Sequence, residues 1–148
     1  ALAARLAHRG RRATWMLQER VYGDTWQVFA STTDVRLVVD VAARVAVWPT
    51  FRGHVQSGAS FYQLAYVGAT TGVSIDVPKL RTGDRELSPL ASATFGGGIR
   101  WDVGKGPRRQ AWGITAQAEA TQTHYFDALF IKNRLAVFSV LQLAKAFE

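Results

Sequence analysis

The sequence predicts an all-β fold, an antiparallel up-and-down arrangement of about six long strands. Three observations carry it. The first is strict period-two alternation in the hairpin from Ala91 to Phe126. Ala91, Ala93, Phe95, Gly97, Ile99, Trp101 and Val103 oppose Ser92, Thr94, Gly96, Gly98, Arg100 and Asp102. After a turn at Gly104-Lys105-Gly106-Pro107, Trp112, Ile114, Ala116, Ala118 and Ala120 oppose Gly113, Thr115, Gln117, Glu119, Thr121 and Thr123. Successive strand residues point to opposite sides, so this alternation gives one apolar and one polar face. The second observation is length, since these limbs well exceed the roughly 5–6 residues of an ordinary strand. The third is that the remaining stretches alternate too, with no helical period between them.

Taken in order, Ala1–Leu6 is uninformative, and reads at most as the end of a preceding strand. His8-Arg9-Gly10-Arg11-Arg12 is a basic turn. Ala13, Trp15 and Leu17 then alternate with Thr14, Met16, Gln18 and Arg20, and Tyr22 to Trp26 turns tightly on Gly23 and Asp24. A second strand runs roughly from Trp26 to Val41, with Phe29, Val35, Leu37, Val39 and Val41 opposite Asp34, Arg36 and Asp40. Ala42-Ala43-Arg44 returns the chain into a third, which carries Val45, Val47, Phe51, Val55, Ala59 and Phe61 opposite Thr50, Arg52, His54, Gln56 and Ser60. Pro49 sits badly in it, because proline removes a ladder donor. Residues 67–90 form a long irregular connection, the Ala91–Phe126 hairpin follows, and the last strand spans Arg134 to Phe147.

Composition narrows the class. One domain fits residues 1–148, and 48% hydrophobic content argues against disorder. The absence of cysteine excludes a disulfide scaffold, a thiol nucleophile and cysteine-ligated metal sites. A net charge of +7 suits nucleic acid or an anionic membrane surface. No apolar run is long enough for a transmembrane helix. Ala1–Gly10 does not read as a signal peptide, so the chain starts mature or is a piece of something longer.

The strand lengths separate a soluble lipocalin-like barrel, apolar inside, from a membrane barrel, apolar outside. Strands of about 12–16 residues exceed the roughly 9–11 that cross a bilayer with tilt. The apolar face is rich in Ala and Gly, which would underfill a soluble core. Aromatics also collect at strand ends: Trp15, Trp101, Trp112 and Phe147 at one, Phe29, Phe61 and Phe126 at the other. Two aromatic girdles around an apolar band mark a transmembrane β-barrel. Phe51 and Phe95 lie away from the ends and blur the pattern. On this reading short turns face the periplasm, and 67–90 is extracellular. Six strands do not seal a barrel, so the chain is expected to be the C-terminal part of a larger one, or to close with strands from another chain.

Three motifs add a resemblance. Tyr22-x-Asp24-x-Trp26, Arg52-x-x-x-Gln56-Ser57-x-Ala59-x-Phe61-Tyr62 and Arg85-Glu86-Leu87-Ser88-Pro89-Leu90 are similar to a family of bacterial outer-membrane β-barrel proteins catalogued as a domain of unknown function. The resemblance covers most of this chain and the C-terminal part of a family member. It implies an outer-membrane location and no activity.

The candidate lumen-lining residues are Arg20, Asp34, Arg36, Asp40, Arg52, His54, Gln56, Arg100, Asp102, Gln117 and Glu119. Pairing symmetrically about Ala43 sets Arg52 opposite Asp34 and His54 opposite Thr32. Mixed signs at similar depth favour a wall knitted by ion pairs over a charged constriction that selects solutes. Arg9, Arg11, Arg12, Arg44, Lys105, Arg108 and Arg109 crowd the periplasmic turns, where anionic head groups are the expected contact and nucleic acid is not. His54 and His124 lack metal-ligand spacing, and neither a metal nor a cofactor is expected. A barrel enzyme using Ser60 and His124 at the outer rim is the alternative to a structural or pore-forming role. Gly96-Gly97-Gly98 lies within a strand, so it marks a bend or a close-packed wall and not a phosphate loop.

Overall fold

Alternation and turn chemistry produce strands that each pair with their sequence neighbour. The computed structural model describes residues 1–103 and 112–145. They contain β1 (Leu2–Arg9), β2 (Ala13–Gly23), β3 (Phe29–Ala42), β4 (Val45–Gln56), β5 (Ala69–Thr71), β6 (Ser74–Asp76), β7 (Leu90–Val103), β8 (Trp112–Tyr125) and β9 (Asn133–Lys145). Seven of these form one antiparallel sheet in the order β1-β2-β3-β4-β7-β8-β9, while β5 and β6 make a small separate hairpin. The chain is thus all-β and antiparallel, with a meander topology.

Three expectations need correction. The large sheet has seven strands and not six, because Leu2–Arg9 pairs in full with β2, from Leu2 opposite Val21 to Arg9 opposite Thr14. Arg9 is therefore a strand residue and not part of a turn. The connection 67–90 is not wholly irregular, since it holds β5, β6 and a 3-10 turn at Arg85–Leu87. Ala59 and Phe61 lie beyond β4, which ends at Gln56. The sheet is also open, with β1 and β9 each bonded on one side only.

The registers decide which residues share a face. One continuous row joins Leu6, Leu17, Val35, Phe51, Phe95, Ala120 and Val137 across all seven strands. Every member is apolar. The adjacent row, one residue along, is Arg5, Gln18, Asp34, Arg52, Thr94, Thr121 and Ala136, on the opposite face. The apolar row is not covered: Leu6, Leu17, Val35, Phe51, Phe95 and Val137 are 37% to 72% exposed. The buried apolar residues among those described are Val28, Ala59, Leu90 and Tyr125, all gathered at one end of the sheet. The accessible surface is 10706 Å², whereas a compact monomer of this mass has about 7,500 Å². The excess is the uncovered sheet.

Pro49 and the glycine run explain one another. Pro49 offers no N–H, and the β3–β4 ladder has no pairs between Arg36–Thr50 and Val39–Val47. On its other side Pro49 lies opposite Gly97, where a Cβ would stand 2.9 Å from the Trp48 carbonyl oxygen and 3.2 Å from Pro49 Cα. A Cβ at Gly98 would meet the Trp48 ring at 2.5 Å, and one at Gly96 would meet the Ala118 carbonyl oxygen at 2.8 Å. The run is a close-packed wall that lets Trp48 lie against the polar face of β7. Replacing Gly97 by Val should destabilise the sheet by about 1–3 kcal/mol through overpacking against backbone. Gly83→Ala, where a Cβ meets nothing within 4 Å, should stay within about 0.5 kcal/mol. Denaturant midpoints of the two variants under the same solution conditions check both.

Candidate functional site: a polar cavity and a packed rim

The eleven charged and polar candidates from Arg20 to Glu119 all fall on the face opposite the apolar row. That face bounds a half-open cavity of about 310 Å³, lined by residues from six strands, among them Arg5, Arg20, Arg36, Arg52, Thr94 and Glu119. Laid flat, six strands at ~4.8 Å spacing would spread over about 24 Å. A single cavity of this size touches all six because the sheet curls around its polar face.

Side chains on this face are knitted largely as the hairpin symmetry predicts. Arg52 lies opposite Asp34 and donates to it through Nε, and His54 lies opposite Thr32 with Nδ1 2.8 Å from Thr32 Oγ1. Arg9 reaches Asp40 at 3.5 Å, and Arg100 donates to Asp102 at 2.9 Å. Gln117 donates to Glu119 at 2.8 Å. Arg5 donates only to the Met16 sulfur, at 3.0 Å, and neither Arg20 nor Arg36 has a carboxylate partner among the described residues.

The other polar concentration is the rim where the buried residues gather. There Arg85–Leu90 is tied to three strands. Gln56 Nε2 donates to the carbonyls of Glu86 and Ser88 at 2.8 and 3.1 Å. The Tyr125 hydroxyl and Arg134 both donate to Glu86 Oε1 at 2.8 Å, and the Arg85 guanidinium lies 5.6 Å from the Tyr125 ring centre. Ser88 and Tyr125 are fully buried. The three motifs quoted from the sequence meet at this end. Trp26 and Phe61 stack edge-on at 5.7 Å, and Ala59 N–H donates to the Leu87 carbonyl at 2.9 Å. Asp24 Oδ1 accepts from the Trp26 and Val28 N–H groups at 2.9 and 3.1 Å, and its Oδ2 accepts from the Tyr22 hydroxyl. Burial works to raise the Asp24 pKa, but the hydrogen bonds from Tyr22, Val28 and Trp26 together hold it below the ordinary value.

Of the aromatic candidates, Trp15, Phe29, Trp101, Trp112 and Phe126 are exposed, whereas Phe61 turns into the rim packing against Trp26. Phe147, Lys105, Arg108 and Arg109 lie outside the described residues. Arg11, Arg12 and Arg44 occupy turns at the end opposite the rim. Ser60 and His124 make no contact with one another. His124 shares the apolar face, bonds to Asn133 Oδ1 at 2.9 Å and packs on Phe126. Two features escape the sequence reading. Trp48 faces the polar side beside the glycine run. Glu19 sits on the apolar face, where it accepts hydrogen bonds from the Ser31 and Thr33 hydroxyls. Its parity with Trp15 and Leu17 was the signal for that placement.

No protein-family model, curated protein or solved structure matches this chain.

Two predictions follow from the rim. A depressed carboxylate pKa gives stability that is complete above its unfolded value and lost as pH falls through the folded one. The Tyr22–Val28 turn should therefore hold at pH 5 and open with a midpoint below the ordinary aspartate value of 3.8, read from Trp26 and Val28 amide chemical shifts. Glu86→Ala leaves the buried Tyr125 hydroxyl without its acceptor, at a cost of about 1–3 kcal/mol. Protease cleavage within 77–88 should quicken, and adding Tyr125→Phe should recover most of the loss.

Proposed function

We propose that this chain is part of the wall of a bacterial outer-membrane β-barrel with a structural or pore-forming role, its apolar face toward lipid and its polar face toward the lumen. The carrying observation is the inverted sheet: the apolar row is exposed on six of its seven strands, with Ala120 half-buried on β8, while the curled interior is lined by charged side chains. A water-soluble ligand-binding barrel needs the reverse, an apolar interior. Against a rim enzyme built on Ser60 and His124 stands the placement of His124 on the apolar face, where its Nδ1 bonds to Asn133.

The tryptophans supply an independent argument. Relative to the continuous apolar row, Trp15 lies two residues toward the basic turns, Trp101 six and Trp112 eight. From β2 to β8 are four strand steps, so the line of tryptophans drops six residues in four steps, or 1.5 per strand. With ~3.3 Å per residue and ~4.8 Å between strands, these rings share one level when the strands tilt by about 45°. Transmembrane barrels tilt their strands by about 35–45°. A single interfacial girdle at a barrel's own tilt is what this spacing describes.

Further strands, from this protein or another chain, complete the sheet at β1 and β9, since each unpaired backbone group in lipid costs several kcal/mol. The basic turns then face the periplasmic leaflet and its anionic head groups. The likeness of the three motifs to the outer-membrane family agrees with this placement.

Single-tryptophan variants in vesicles with brominated acyl chains test the reading. Trp15, Trp101 and Trp112 should be quenched at one common shallow depth, and Trp48, on the polar face, should escape. A chain that stays soluble without detergent and shows no quenching would overturn the proposal. Conductance in planar bilayers then separates an open pore from a closed scaffold.

A further inference from the structure

Charge on the curled face is not balanced. Within the cavity Arg5, Arg20, Arg36 and Arg52 face two carboxylates, Asp34 and Glu119. Arg52 and Asp34 neutralise each other, and Glu119 accepts from Gln117 and not from a cation. Among the described residues, three guanidinium groups on the adjacent strands β1, β2 and β3 have no carboxylate partner, and Glu119 on β8 has no cationic one.

Register makes Arg5 and Arg20 neighbours, while Arg36 lies four residues from the position opposite Arg20 and joins them in lining one cavity. Arg5 lies opposite Gln18, two residues from Arg20 on the same face, and diagonal neighbours of this kind are about 7–8 Å apart. Arg36 lies opposite Met16, two residues from Gln18 on the other side. Three like charges with exposed heads lining one concavity favour a counter-ion between them. Guanidinium forks match the geometry of phosphate oxygens bidentately. A cavity of about 310 Å³ is at the small end of solute sites.

We infer that Arg5, Arg20 and Arg36 form a binding site for a small phosphate-bearing solute on the polar face of the sheet. The assignment rests on the lumen reading above, because a wall turned to lipid on this face would hold no such solute. Glu119 on the far side of the cavity gives the site a direction, drawing the anion toward the β1–β3 wall.

Calorimetric titration of inorganic phosphate into the detergent-solubilised protein at low salt tests it. Saturable binding is expected, weakened at least tenfold in Arg20→Gln and in Arg36→Gln. Arg9→Gln, which removes an arginine paired with Asp40 on the same face, should change the affinity less than twofold. Circular dichroism of each variant checks that the sheet persists. Absence of saturable binding, or an equal loss in Arg9→Gln, overturns the site. Repeating the titration in vesicles containing phosphatidylglycerol separates two sources of the same chemistry. A free solute keeps its affinity there, and competition by the lipid overturns the solute assignment in favour of a head group. The tryptophan quenching described above reports the barrel independently, so a failed site and a failed barrel give different results.

Discussion

Because strand side chains alternate with a period of two, a slip of one residue at any pairing in the large sheet would exchange the faces of everything beyond it. Six registers hold across seven strands, and both the continuous apolar row and the charged row beside it depend on every one of them. The sequence pins that register at several points. Arg52 against Asp34 and His54 against Thr32 fix the β3–β4 hairpin, and Thr94 against Thr121 fixes β7–β8. The Pro49–Gly97 contact fixes β4 against β7, since a residue with a Cβ does not fit there. Each pin is modest alone, and together they leave one arrangement.

The hairpin interiors were legible because their alternation is strong and their turns short. Symmetry about Ala43 is enough to name Arg52–Asp34 and Thr32–His54 from the sequence. What was not legible falls where local pattern is weak or where packing overrides it. Leu2–Arg9 carries three alanines and two arginines, and only its pairing with β2 reveals a strand. Phe61 reads as a strand-end aromatic, but β4 stops at Gln56 and frees it to stack on Trp26. The rim cluster joins Gln56, Glu86, Tyr125 and Arg134, residues as much as 78 positions apart (Gln56 to Arg134), and no periodicity reports contacts across that separation.

Two kinds of polar chemistry therefore divide the molecule. At the rim, hydrogen bonds from Gln56, Tyr125 and Arg134 converge around the buried Ser88 and Tyr125, which fixes the Arg85–Leu90 segment against β4, β8 and β9. On the curled face most charges are paired, the arginines of those pairs stay exposed, and the surplus is cationic. Glu19 is the exception on the third surface. At a 45° tilt it lies four residues, about 9 Å, above Trp15, so under the proposed orientation a carboxylate sits within the apolar band. Ser31 and Thr33 supply the hydrogen bonds that water would otherwise give it.

The open edges carry a consequence of parity. β1 and β9 are the first and seventh strands of an antiparallel meander, so they run in the same direction. Joining them directly, or joining β1 of one copy to β9 of another held in the same orientation, creates a parallel seam. An all-antiparallel ring exists only when an odd number of strands is inserted between the two edges. The smallest such ring has eight strands, one beyond the seven that are here.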